Sequence, residues 1–292
     1  MDNTGKQVDD AVDYALANSN RNLLDNPFFT IRQMGTSGVT GVGYAVDRWK
    51  NTGGANLTQT PRSPYGITFA SSSGYQVDQA LWAYPAEYLD GETLTISVMT
   101  SGGSIAKATG TFTAISSTAA KVAVTSADGN FTVGLYYIPS ARAVPFVRIT
   151  TPTAKFPVNA AILAVKLEKG SYSTLANDMP MDDEELTKCQ RYFVRMRWQA
   201  LTPVCLALAS TSTNLNGLII TPVAMRETST YSIASSGSLT TPAGNTATPT
   251  NVTASYGNQM RVQFSASGIT SGQVYQLHTG NAAKYIDISA DI

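Results

Sequence analysis

Reactive side chains are scarce in this chain. Its 292 residues include two cysteines, Cys189 and Cys205, and a single histidine, His278. No zinc-like grouping of Cys and His exists at any spacing. Both cysteines stand among apolar neighbours and are read as buried, reduced thiols. Charge is equally thin: 20 acidic and 20 basic residues leave no net charge, so no field draws the chain toward nucleic acid. No long apolar run is present, which excludes a membrane-inserting helix, and the polar N-terminus does not read as a secretory signal. The protein is therefore expected to be made in a cytoplasm. No Gly-x-Ser-x-Gly elbow accompanies His278, so a serine triad has no nucleophile to organise. No internal repeat is visible either.

What the chain has in quantity is Thr, Ser, Ala and Gly, with 13 prolines as punctuation. That is the composition of short strands joined by many turns, and the expected class is all-β. A succession of candidate strands runs through Ala45–Lys50, Gly66–Ala70, Tyr75–Leu81, Leu94–Met99, Gly110–Ile115, Lys121–Thr125, Phe131–Ile138 and Val144–Ile149 to Ala161–Glu168. Strands at this spacing predict a two-sheet jelly roll over residues 22–178, in an order that resembles carbohydrate-binding-module sandwiches. A second, smaller β domain is expected over 179–292, with strands from Val204–Ala209 to Ala283–Ile288. Within it, Ser235–Thr250 has almost nothing large to bury and reads as an exposed loop.

Two segments read as helix. In residues 1–21, Thr4 and Gln7 form a capping box, and Val8, Ala11, Val12, Ala15 and Leu16 make one apolar stripe opposite Asp9, Asp10 and Asp13. Isolated helices below about 12–15 residues are marginal in water. This one therefore needs a partner, either the body of its own chain or a seam with sister chains, and the seam or an anchoring contact is favoured. The second helix is short and joins the two β domains. It opens after Pro180 on the acidic string Asp182, Asp183, Glu184, Glu185 and closes near Lys188 and Arg191, the favourable sense for the helix dipole. Adjacent carboxylates on a helix diverge, so the quartet is read as helix N-terminal charge and no metal site is expected. After it, Tyr192, Val194, Met196 and Trp198 alternate with Phe193, Arg195 and Arg197 in the period of a half-buried strand.

Catalysis finds little support. Glycoside cleavage needs two carboxylates across a cleft about 5–10 Å wide. Asp78, Glu87, Asp90 and Glu92 are close in sequence, yet Asp90-Gly91 is also an ordinary turn. The expectation is no enzyme and no cofactor. Binding leaves more of a trace: LWAYPAEY puts Trp82, Tyr84 and Tyr88 in one proline-broken segment, the kind of exposed aromatic surface that recognises sugars. The plainer reading of Trp82, a cap on the sandwich core, is favoured over a binding role. Trp49 and Trp198 are assigned to cores, with Arg48 beside Trp49 turned to water or to the neighbourhood of Asp47.

Several strings taken together, NLLDNPFF, YAVDRW, KLEKGSYSTLAND, EELTKCQRYF and ITPVAMRETSTYSI, resemble a family of bacteriophage and prophage tail-fibre or virion-appendage proteins. The similarity extends from about Asn22 to the C-terminal YIDISADI, and GKQVDDAVDYA resembles the helical starts of phage fibre chains. The resemblance implies a virion surface protein; together with the N-terminal stripe and the aromatic segment, the expected reading is a homotrimeric structural virion protein, attached to other virion proteins through its N-terminal helix and engaged in host attachment, with a host surface glycan as the ligand of Trp82, Tyr84 and Tyr88. It offers no shared catalytic residue. Two alternatives remain open: a purely structural collar, head, baseplate or decoration protein, and a capsule-degrading glycosidase.

Overall fold

The computed structural model describes residues 21–33, 39–41, 43–226 and 231–290. The expected N-terminal helix, with Val8, Ala11, Val12, Ala15 and Leu16, lies outside the described residues. The chain is all-β in two compact units that divide between Glu185 and Leu186.

The first unit holds twelve strands: β1 (Val39–Thr40), β2 (Gly43–Val46), β3 (Trp49–Gly53), β4 (Thr58–Pro61), β5 (Ile67–Ser71), β6 (Gln76–Ala80), β7 (Thr93–Thr100), β8 (Ile105–Thr111), β9 (Ser117–Thr125), β10 (Thr132–Tyr137), β11 (Phe146–Thr150) and β12 (Val158–Lys169). One six-stranded sheet runs β1-β4-β5-β12-β7-β8 and the other β2-β3-β6-β11-β10-β9. Period-2 alternation builds the core between them. Leu94, Ile96 and Val98 of β7 and Val165 and Leu167 of β12 are buried in one cluster with Val77, Val133, Leu135, Val147 and Ile149 of the other sheet, around Trp49, Phe69 and Phe131. Each such side chain contributes about 1.5–3 kcal/mol on burial.

The long strand β12 is buried on both faces, with Thr174 and Asp178 lying over Lys166 and Glu168, while the chain preceding the first strand pairs along its edge beyond Ile162. Leu23 N–H donates to Leu167 O at 2.8 Å and Val165 N–H to Pro27 O at 3.0 Å. The Asn22 amide bridges the same stretch, accepting from Leu167 N at 3.2 Å and donating to Val165 O at 3.3 Å. Beneath this cover two polar knots form. In the first, Asn26 holds a left-handed backbone (φ 51°). Its side chain donates to Ile31 O (3.1 Å) and Asp47 O (2.9 Å) and accepts from Ile31 N (3.0 Å). Its carbonyl accepts from Trp49 Nε1 at 3.1 Å, and its backbone N–H donates to Glu185 Oε2 at 2.6 Å. In the second, Lys166 and Glu168 share Thr174 and Asp178: Lys166 Nζ reaches Asp178 Oδ1 at 2.8 Å, Glu168 Oε2 at 3.7 Å and also Thr174 Oγ1. Thr174 in turn donates to Glu168 through its backbone (2.9 Å) and hydroxyl (2.7 Å).

Several expectations are corrected here. The strand foreseen over Ala45–Lys50 is broken into β2 and β3 by a turn at Asp47–Arg48, where Arg48 takes φ 73°. Arg48 is buried, not turned to water: it pairs with Asp25 at 3.1 Å and donates to Ala80 O at 2.8 Å. Gly110–Ile115 is displaced toward the N-terminus, since the strand ends at Thr111 and Phe112 turns into the core. Gln59 faces the buried side of β4, opposite Phe69, and among the described residues neither its amide oxygen nor its nitrogen finds a partner. A buried unpaired amide costs about 1–3 kcal/mol. Gln59→Leu is therefore expected to stabilise the protein by about 1–2 kcal/mol, read as a higher denaturant midpoint at constant slope; a lower midpoint would contradict it.

The second unit begins inside helix α1 (Asp182–Gln190), which starts on the predicted acidic string. Three of the four carboxylates are exposed, as helix-terminal charges should be, but Glu185 is buried on the Asn26 backbone. It then forms a three-stranded sheet, β13 (Phe193–Trp198), β21 (Lys284–Ser289) and β16 (Ser232–Ser235), with β21 in the middle. The remaining strands close a barrel in the order β14 (Pro203–Ala209), β15 (Asn214–Ile220), β19 (Gln259–Ala266), β18 (Thr246–Tyr256), β17 (Leu239–Thr240), β20 (Val274–His278). Leu215, Ile219, Leu239, Met260, Val262, Phe264 and Leu277 fill its core, and Trp198 packs half-buried against it. Ser235–Thr250 is thus not one exposed loop. Leu239 and Ala247 are an inward-facing pair on β17 and β18, and only the tight turn Thr241–Asn245 is left between them.

The thiols are also sorted. Cys189 is buried, whereas Cys205 is half-buried, at a register shift near the start of β14. Its Sγ nevertheless points toward Gly217, where a Cβ would come within 2.8 Å of it. Burial pushes the Cys205 thiol up to about 12. It stays protonated and weakly nucleophilic at neutral pH. In native protein at pH 8 an aromatic disulfide reagent is expected to label Cys205 at least tenfold slower than a free thiol, a slowing smaller than its pKa shift alone implies, and to leave Cys189 unlabelled; rapid labelling of both would overturn this.

Candidate functional site

The aromatic segment follows β6. Leu81 N–H donates to Pro145 O (2.8 Å) and Tyr84 N–H to Leu81 O (2.9 Å), closing a turn. Pro85 then caps a single four-residue helical turn (Ala86–Leu89), whose buried Ala86 and Leu89 pin it to the sandwich core. Proline suits that first position, where the missing N–H has no helical partner. The outcome is a rigid turn that presents Tyr84 and Tyr88, four residues apart, on one side. Their ring centroids are 5.7 Å apart with planes at 36°.

These two rings differ in what they offer. Tyr84 packs partly against the sandwich core, while Tyr88 is 54% exposed. Lys169, at the end of β12, lies with its ammonium 4.1 Å from the Tyr88 centroid and 2.9 Å from Glu92 Oε1. The hydrogen bond from Lys169 to Glu92 and the charge of that carboxylate, with Tyr88 beside it, raise the Lys169 pKa, so the group is a fixed cation at neutral pH. Trp82 is half-buried within the Leu81–Tyr84 turn. The structure thus brings Tyr84 and Tyr88 together as expected and adds Lys169 and Glu92, a cation and an anion flanking an exposed ring. Such a set can stack on an apolar sugar face and bond its hydroxyls. Lys169 was missed because its only signal was its place at a strand end before Gly170.

The acidic candidates scatter. Asp78 is buried on the opposite sheet, where Arg148 binds it with two bonds of 2.8 and 2.9 Å and Thr52 donates at 3.0 Å. Arg148 lies across the Tyr136 and Phe146 rings, 5.5 and 4.9 Å from their centroids. Burial alone would lower the Arg148 pKa, but hydrogen bonding and charge from Asp78 outweigh it and raise the value. Asp90 accepts from Ala114 N at 2.8 Å, and Glu92 holds Lys169. His278 Nδ1 accepts from Gly280 N at 3.2 Å and meets Thr240 Oγ1 at the same distance, tying β20 to β17. Among the described residues no three His, Cys, Asp or Glu side chains are grouped to hold a metal.

Comparison with protein-family models, with curated proteins and with solved structures finds no match for the chain.

Proposed function

We propose that the chain is a non-enzymatic structural protein of a bacteriophage virion, a tail-fibre or receptor-binding appendage that mediates host attachment. In this reading residues 1–21 form an attachment and trimerisation helix, the sandwich is a jelly roll, and the unit works as a homotrimer. The observation that carries it concerns where the family-like strings lie. Asn22, Asn26, Asp47, Lys166, Glu168 and Thr174 belong to NLLDNPFF, YAVDRW and KLEKGSYSTLAND, and all are spent on holding the chain to β12 and on the two buried knots. Apart from Lys169, what these strings contribute is scaffold, so function is left to the exposed turns and to that one strand end. Tyr84, Tyr88 and Lys169, with Trp82 adjacent, are the surface proposed to meet a host glycan.

A purely structural role has one observation in its favour: the Lys169 ammonium already occupies a position over the Tyr88 ring. A binding assay separates the two. Stacking contributes about 0.5–1.5 kcal/mol per ring, so Tyr84→Ala with Tyr88→Ala is expected to weaken binding on an array of bacterial surface polysaccharides by about 10–100-fold, with the far-UV spectrum unchanged. Binding equal to the unmodified protein would remove this site and favour the structural role. The capsule-degrading alternative has the least support, because Asp78, Asp90 and Glu92 all serve other partners.

A further inference from the structure

The outward side of a closed barrel ordinarily carries polar side chains, and on three adjoining strands here large apolar side chains stand among them. Leu206 and Leu208 of β14 alternate with buried Ala207 and Ala209, and Leu218 and Ile220 of β15 flank buried Ile219. These four and Val274 of β20 are 48–65% exposed. Register makes them one patch. Leu208 lies opposite Val274 on one side, and Leu206 and Leu218 both stand at the same end of the Ala207–Gly217 pair on the other, side by side. Exposed apolar side chains standing singly need no explanation, but five adjoining ones make a contiguous patch, and the largest such patch on a protein is often functional.

We infer that this barrel face is the seam between copies of this chain, at the axis of the proposed homotrimer; it deepens the proposed function and rests on its oligomeric part. Three observations choose a sister chain as the occupant. The rim consists of amides, Gln276 opposite Leu206, Asn216 opposite Leu208 and Gln259 opposite Ile220. An amide both donates and accepts, so such a rim pairs with itself. Charge is nearly absent: among the described residues in these registers Arg261, opposite Leu218, is the one ion, which gives a charged partner little to match. The patch with its amide rim also has the layout of an interface, apolar at the centre and polar at the edge. A convex barrel meeting two neighbours around a three-fold axis presents one flank to each. Here β20 with β14 is one flank and β15 the other.

The test compares the full-length protein with its Leu208→Arg, Leu218→Arg double variant by light scattering at equal micromolar concentration. The expected masses are three times the 31.0 kDa subunit for the parent and one subunit for the variant, with the same far-UV spectrum. A trimeric parent whose folded double variant is still trimeric overturns the seam and leaves the trimer reading intact, and loss of the trimer in Val12→Asp would then place the seam at the N-terminal stripe. A monomeric parent overturns both. If the double arginine variant does not fold, Leu208→Gln with Val274→Gln decides the matter: at least tenfold weaker association supports the seam, and unchanged association overturns it.

Discussion

Asn26→Ala is expected to destabilise the sandwich unit by about 3–5 kcal/mol. The change strips one side chain but strands several others. The Ile31 N–H loses its acceptor and the Asp47 carbonyl the Asn26 donor, while the Ile31 carbonyl is left with the Asp47 N–H alone. All lie where water has no ready access, so each lost partner costs its desolvation and not merely a bond. Alanine must also adopt the left-handed backbone that asparagine tolerates. Asn26→Gly separates the two contributions. It should recover about 1 kcal/mol of the loss, the backbone part, and leave the hydrogen-bond part. The measurement is the denaturant midpoint of the transition reported by buried Trp49; a loss below about 1 kcal/mol for alanine would show the knot to be ornamental.

Lys166→Met is expected to cost about 3–5 kcal/mol, because the Glu168 carboxylate would remain buried with its cation gone. The double change Lys166→Met, Glu168→Leu should restore most of that. An ion pair this deep is expensive to desolvate, and apolar side chains of similar volume serve a sheet surface under a covering loop about as well. A coupling of about 1–3 kcal/mol between the two positions is the expected outcome of the cycle. Two single losses that simply add would mean that Thr174 and Asp178, rather than the pair itself, hold the segment.

Much of the fold was legible because its signals are local. Alternation in Leu94–Met99 and Lys121–Thr125, and the acidic start of the connecting helix, survive intact in the structure. What was illegible depends on distant partners. Arg48 in a polar turn looks like a surface residue until Asp25 and the Ala80 carbonyl close around it. Leu239 in a stretch of Ser, Thr and Gly looks like noise until the barrel folds over it. The acidic helix start was read correctly for Asp182, Asp183 and Glu184, but nothing in EELTKCQRYF shows that Glu185 reaches Asn26, 159 positions away. For the site, the tyrosine spacing was legible from the proline-broken segment. Lys169 and Glu92 were not, since their meeting is set by the pairing of β12 with β7.

The two units also end their sheets differently. A closed barrel leaves no strand with free backbone donors, so nothing can extend it by pairing. The sandwich has four outer strands, and two of them, β1 and β2, are short. The other two, β8 and β9, are long enough to template a stranger, and each carries a lysine near its middle, Lys107 and Lys121. Lysine there is a gatekeeper against edge-to-edge stacking and amyloid growth. Solubility at high concentration thus leans on two side chains outside both cores, one of which, Lys121, also ties its strand to Thr113 and the Ile115 carbonyl; their loss would expose two edges on which a well-folded protein could stack.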